Sequence, residues 1–247
     1  MTESFSAGWL ALREPFDAAA RSVALARRFA DALPTRPRIL DLGAGTGSMM
    51  RWLRPIIARE QSWILADADG ALVAQALDAE STPLVVDLAK EPGSLPLRAV
   101  DGVVCSALLD LVSEAWLQRL VAALRTPFLA CLTVDGDDAF TPAHPGDESA
   151  LGAFRADQVR DKGFGPALGV GAPEALEAML TAGGCTVASE KSDWDIPPNA
   201  DAILRELVLG HARVAGDAAW EQDRLEQIDG EKLAIRIGHR DILALPR

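Results

Sequence analysis

Three glycines at alternate positions, Gly43, Gly45 and Gly47, follow the short apolar run Ile39-Leu40-Asp41-Leu42 and precede Met49, Met50, Trp52 and Leu53. A strand that runs into Gly-x-Gly-x-Gly and out into a helix leaves little choice of fold. The glycines let the backbone turn and a ligand approach where a Cβ would clash, and the helix that follows aims its first N–H groups at the ligand's anionic end. Spacing narrows the ligand further. A dinucleotide fingerprint reads Gly-x-Gly-x-x-Gly, and here Ser48 stands where its third glycine belongs.

The chain around this loop alternates between short β-rich runs and helical stretches. Strands are expected at Arg38–Leu42, Trp63–Asp67, Pro83–Asp87, Val100–Ser106 and Phe128–Asp135, with helices at Gly70–Glu80 and Ser113–Arg125. Such alternation predicts an α/β fold with a parallel sheet, because parallel strands need crossover connections. The link from Leu88 to Ala99 is too rich in Pro and Gly for a good helix. A helical segment, residues 8–33, precedes the first strand and is expected to break at Pro15. Beyond Asp135 the pattern predicts a loop to Asp147, an amphipathic helix over Glu148–Asp161 and a glycine-rich turn over Lys162–Gly171. A helix over Pro173–Thr181, a strand near Cys185–Ser189, two helices between Asp201 and Gln227, and one long strand over Leu233–Leu245 complete the chain.

Asp67 lies twenty residues past Gly47 and closes the second strand, where a carboxylate can accept both hydroxyls of a ribose; Asp87 closes the third. Asp41, Asp67 and Asp87, at the carboxyl ends of three successive strands around one glycine loop, describe a crevice at a topological switch point suited to a nucleoside.

In these residues the sequence resembles the class I S-adenosylmethionine-dependent methyltransferases, over roughly Arg38 to Asp135 and more faintly over the whole chain. The resemblance implies a Rossmann-like, mostly parallel seven-stranded sheet with helices on both faces and an antiparallel final strand. It implies S-adenosyl-L-methionine as cofactor, S-adenosyl-L-homocysteine as product, and a cofactor site drawn from Arg13, Asp41, Gly43, Ala44, Gly45, Gly47, Asp67, Ala68, Asp87, Leu88 and Ser106. The glycine loop would cup the methionine part, Asp67 the ribose, and Asp87 with Leu88 the adenine. The segment Trp9-Leu10-Ala11-Leu12-Arg13-Glu14-Pro15 is loosely similar to small-molecule members of the trans-aconitate methyltransferase type, in which an N-terminal arginine approaches the cofactor carboxylate. The expected organisation is one methyltransferase domain over 1–247: a helical lid (1–37), a cofactor-binding core (38–135), a substrate lid (136–171) and the remainder of the sheet and helices (172–247).

Composition removes several other partners. Thirty-six acids against 24 bases give a net charge of −12, which repels a long phosphate backbone and argues against nucleic acid. Cys105, Cys131 and Cys185 are odd in number, far apart and set in apolar runs, as reduced core residues are. With three histidines and neither CxxC nor HExxH, no metal is expected. Residues 1–7 lack a signal peptide's features, and no apolar run reaches the ~20 residues that span a bilayer; the expectation is a cytoplasmic protein without a membrane partner.

Methyl transfer to a small organic acceptor is the expected activity, with methylation of RNA or protein, or cofactor binding without catalysis, as the competing readings. His144, in the loop after the fifth strand, is the candidate general base, set against an ordinary exposed loop histidine. Asp110 is expected to cap the helix near Ser113 or to lie exposed, in preference to orienting a substrate. Asp135, Asp137 and Asp138 read as a charged turn in preference to a cation site. Arg155, Arg160 and Lys162, beside Phe154 and Phe164, either face an anionic acceptor or pair with Asp157 and Asp161 on a solvated face.

Overall fold

The computed structural model describes residues 5–90 and 92–246. The first four residues of the expected lid, Glu91 in the 88–99 link, and Arg247 lie outside the described residues. Two helices, α1 (Ala7–Ala20) and α2 (Val23–Asp31), lead into β1 (Arg38–Leu42), α3 (Ser48–Ile57), β2 (Ser62–Asp67), α4 (Gly70–Ala74) and β3 (Ser81–Val85). There follow β4 (Gly102–Ser106), α5 (Glu114–Ala123), β5 (Phe128–Val134), β6 (Ala139–Thr141), α6 (Asp147–Gln158) and α7 (Ala172–Ala182). The chain ends through β7 (Thr186–Lys191), β8 (Trp194–Ile196), α8 (Asp201–Ala215), α9 (Ala218–Asp229), β9 (Ala234–Ile237) and β10 (His239–Leu245).

Seven strands form one sheet in the order β3-β2-β1-β4-β5-β10-β7. The β1 to β5 pairings are parallel, and β10 runs antiparallel to both neighbours. The strand order reverses beside β1, so the crevice for a ligand opens where the glycine loop leaves that strand. The two faces bury separate apolar layers. Ile39, Leu65, Val104 and Leu243 pack with Leu25, Phe29, Met50 and Leu53 of α2 and α3. Leu40, Ala66, Cys105 and Ile242 pack with Trp116 and Leu117 of α5 and Leu176 of α7. Because side chains alternate along a strand, Asp41, Asp67, Ser106 and Asp241 share the face of the first layer, beneath the N-terminal helices. Among the described residues no helix is long and apolar enough to cross a membrane.

Several expected boundaries move, each for a local reason. Pro15 lies inside α1, and the break comes at Arg21, whose ψ of 137° leaves the helix. Ser22 caps α2 by accepting the Leu25 N–H, and Asp241 takes the Ser22 N–H; these bonds outweigh the loss of one helical hydrogen bond at proline. The helix after Gly70 stops at Ala74, because Asp78 and Ser81 bond locally and compete with helical pairing. The third strand ends at Val85, two residues before Asp87.

The expected long final strand is two strands in different sheets. Gly238 separates them, and a Cβ there would collide with the Asp135 carboxylate and the Asp137 backbone. β9 pairs antiparallel with β6 and β8 in a three-stranded sheet, so the segment expected to be loop over 136–147 contains a strand. α6, α8 and α9 pack on this side around Arg224, which is fully buried, ion-paired to Asp147 and set against the rings of Phe140 and Trp220.

Candidate active site

A cavity of about 470 Å³ opens at the carboxyl ends of β1, β2 and β4. Ten of the expected cofactor residues line it: Arg13, Asp41, Gly43, Ala44, Gly45, Asp67, Ala68, Asp87, Leu88 and Ser106. Gly47 does not. It has φ +82°, caps the start of α3, and a Cβ on it would stand 2.6 Å from Ala76 Cβ, so its glycine serves the turn and its packing.

The loop is tied to the next strand. Asp67 Oδ2 accepts the Gly45 N–H at 2.8 Å, and its Oδ1 accepts the Asp69 N–H at 2.9 Å. Asp69 also lines the cavity and caps α4 by accepting the Ala71 and Leu72 N–H groups. Asp87 Oδ1 accepts the Ala89 N–H at 3.1 Å, which turns the chain so that Leu88 faces the cavity. The Leu88 carbonyl in turn accepts the Trp116 indole N–H at 2.6 Å, and Trp116 meets the Phe164 ring edge-on.

A second charged group comes from the N-terminal helices. Arg13 and Asp17 of α1 and Arg21, the residue that ends it, recur at intervals of four, and all three line the cavity. Arg13 is spent on Asp17, with Nε–Oδ2 3.1 Å, and lies over the Trp194 ring at 4.9 Å. Arg21 is 3% exposed and reaches deeper: its guanidinium donates to Ser48 Oγ at 3.1 Å and to Ser106 Oγ at 2.9 Å. Sequence reasoning selected Arg13 and passed over Asp17, Arg21 and Ser48. The four-residue spacing was the available signal.

Asp41 is 1% exposed, and neither carboxylate oxygen has a hydrogen-bond partner. Burial pushes its carboxyl up to about 8, against the pull of Arg21 and with a small push from Asp67. A buried acid beside a buried arginine, both facing one cavity, offers an acceptor and a donor together. That pair complements a ligand bearing both an ammonium and a carboxylate group.

The remaining candidates lie elsewhere. His144 is not among the lining residues: Nε2 is 3.0 Å from Asp223 and Nδ1 accepts the Gly146 N–H at 3.0 Å. Ser113, not Asp110, caps α5. Asp110 Oδ1 is buried without a partner, and burial raises its carboxyl. Asp135 binds Arg240, Asp137 binds Lys191 and Arg236, and Asp138 accepts the Gly238 N–H. Among the described residues no group of three or more His, Cys, Asp or Glu side chains could hold a metal ion. From 136–171 only Phe164 reaches the cavity. Arg155 donates to the Gly136 carbonyl, Arg160 pairs with Asp157, and Phe154 stacks on His211.

No protein-family model and no curated protein sequence matches the chain. Solved structures do. A candidate type II methyltransferase from Anaeromyxobacter dehalogenans superposes with a TM-score of 0.55 at 18% identity, over 92% of this chain and 98% of that one. A candidate methyltransferase of an antibiotic biosynthesis pathway in Anabaena variabilis superposes with a TM-score of 0.51 at 15% identity, over 92% and 99%. At such identities the likeness is one of fold. With the strand order and the antiparallel β10, it makes this the Rossmann-like fold of class I methyltransferases.

Proposed function

We propose that the chain is an S-adenosylmethionine-dependent methyltransferase acting on a small organic acceptor. The observation that carries this reading is the pairing of Asp41, buried with both oxygens unpartnered, and Arg21 at the glycine loop. The residues fit the cofactor. Asp41 would take its ammonium, Arg21 with Ser48 its carboxylate, Asp67 its ribose hydroxyls, and Asp87 with Leu88 its adenine.

When bound, S-adenosylmethionine supplies a methyl group already activated on a cationic sulfur. The protein's part is then to hold the acceptor in line and to exclude water. Residues 38–135 supply the cofactor floor in this reading. α1 forms the facing wall through Leu10, Arg13 and Asp17, and Phe164 covers the cavity from the turn after α6. An acceptor that arrives as an anion needs no general base, and His144 has no place in this scheme. A small acceptor suits the net charge of −12, which opposes RNA.

Calorimetry with S-adenosylhomocysteine tests the site, and incubation with methyl-labelled cofactor and a cell extract tests the reaction. Label in the small-molecule fraction is the expected result. Label in the RNA or protein fraction overturns the acceptor class, and binding with no label in any fraction leaves a cofactor-binding protein without catalysis.

A further inference from the structure

We propose that Asp241, a residue of the last strand that does not line the cavity, is a positioning residue that sets Arg21 in place for the ligand's carboxylate. The inference rests on the functional reading above and concerns how this chain builds the arginine end of that site.

Asp241 is 0% exposed and sits on β10, where the pairing with β5 shifts register between Arg240 and Ile242. Its two oxygens are divided between two elements. Oδ1 accepts the Leu132 N–H of β5 at 2.8 Å, and Oδ2 accepts the Ser22 N–H at 2.7 Å. Leu132 itself is held at φ +55°, a conformation rare for a side-chain-bearing residue, so the backbone is bent at the point where the carboxylate grips it.

Ser22 directly follows Arg21, at the turn where α1 gives way to α2. Its hydroxyl also donates to Glu190 on β7. The junction between the helices is therefore bonded to two adjacent strands, β10 and β7, and Asp241 is itself held to a third, β5. From it the Arg21 side chain runs over the Trp52 ring at 5.5 Å to Ser48 and Ser106. A small rotation at residues 21 and 22 would carry the guanidinium off both hydroxyls, since a long side chain magnifies movement at its root. α1 holds Arg21 from one side only, through the Arg21 N–H to the Asp17 carbonyl at 3.1 Å and the ion pair of its guanidinium with Asp17 at 3.7 Å, and its hydrogen bonding stops there, so it does not fix the rotation at residue 22. The Asp241 carboxylate does, because it bonds the first N–H after the break.

The test uses the whole chain and two ligands, S-adenosylhomocysteine and 5′-methylthioadenosine, which keeps the nucleoside and sulfur and lacks the amino-acid part. Affinities are measured for wild type, Arg21→Met, Asp241→Asn and the double variant. Wild type is expected to prefer S-adenosylhomocysteine, and Arg21→Met to lose the preference. Asp241→Asn should weaken S-adenosylhomocysteine about tenfold while leaving 5′-methylthioadenosine within twofold, and the double variant should lose no more than Arg21→Met. Unchanged affinity for S-adenosylhomocysteine in Asp241→Asn overturns the inference. So does an equal loss of both ligands, which is what a general loosening of the fold produces.

Should Asp241→Asn fail to fold, Ser22→Pro measured against Ser22→Ala puts the same question. Ser22 has φ −68° and Arg21 is extended, as a proline and its predecessor require, so the change deletes the N–H that Asp241 accepts. A pair of variants with equal ligand preference overturns the inference by that route. A wild-type chain that binds neither ligand overturns the functional reading and this inference with it.

Discussion

Asp67 Oδ2 and the backbone nitrogen of Gly45 lie 2.8 Å apart, so the acid that ends β2 and the loop that leaves β1 form a single rim. Asp67→Ala removes both a ribose acceptor and the bond that holds the loop. Its affinity for S-adenosylhomocysteine should fall about a hundredfold, on the order of 3 kcal/mol for a bidentate charged acceptor. Asp67→Asn, which keeps one acceptor oxygen, should fall between the two in calorimetry. Equal affinity in wild type and Asp67→Ala would remove the ribose from this position.

Asp41 links the site to pH. Its carboxyl is raised from the usual 3.8 to about 8 in the fold, chiefly by burial, so the folded state holds a proton that the unfolded chain releases. The stability from this group is therefore full below about pH 4 and is lost as pH climbs towards 8. Asp41→Asn should flatten that slope: its melting temperature should exceed that of wild type at pH 8 and approach it at pH 4. Ligand binding should run the other way. An ammonium needs the ionised carboxylate, so wild-type affinity for S-adenosylhomocysteine should rise as pH approaches 8, and Asp41→Asn should bind about tenfold more weakly at pH 8. A pH-independent difference in melting temperature would show that Asp41 does not hold the proton.

What was legible in the sequence was local. The glycine loop, the acids at the ends of β1 and β2, and the alternation of strand and helix each occupy a few consecutive residues whose spacing carries the geometry. What was not legible depends on contacts far along the chain. Arg21 meets Ser106 across 85 residues and its junction is held by Asp241 across 219, so nothing near Arg21 separates it from Arg13. Pro15 reads as a breaker because proline costs a helical bond, yet the break is decided by the acceptor waiting at residue 22. The run 233–245 reads as one strand because β-rich apolar residues lie on both sides of Gly238, Ile235 and Ile237 before it and Ile242 and Leu243 after it. Only the packing of Gly238 against Asp135 and Asp137 shows where it changes sheets.

His144 carries a prediction of the opposite kind. Its ring nitrogens are engaged by Asp223 and the Gly146 N–H, outside the cavity. His144→Ala should leave the affinity for S-adenosylhomocysteine unchanged and cost about 1 kcal/mol of stability, the scale of one neutral hydrogen bond and one exposed pair. Denaturant unfolding alongside calorimetry separates the two effects. A loss of ligand affinity at full stability would place the ring in the site.

Gly45 and Gly47 are two residues apart and should respond differently to the same substitution. Both have positive φ, +50° and +82°, so alanine strains the backbone at either, by about 1–2 kcal/mol. At Gly47 the new Cβ also meets Ala76 Cβ at 2.6 Å, between α3 and the turn after α4, and overpacking there adds about 1–3 kcal/mol. Gly47→Ala should therefore lower stability by about 2–5 kcal/mol, while the folded fraction keeps wild-type affinity. At Gly45 the Cβ meets the Leu10 methyl at 3.1 Å across the cavity, a flexible neighbour that can yield. Gly45→Ala should cost less stability and more affinity, because its Cβ stands between ligand and loop. Unfolding curves read the first effect and titration with S-adenosylhomocysteine the second. If both variants lose affinity in proportion to stability, the loop acts as one structural unit and the division of labour between the two glycines is wrong.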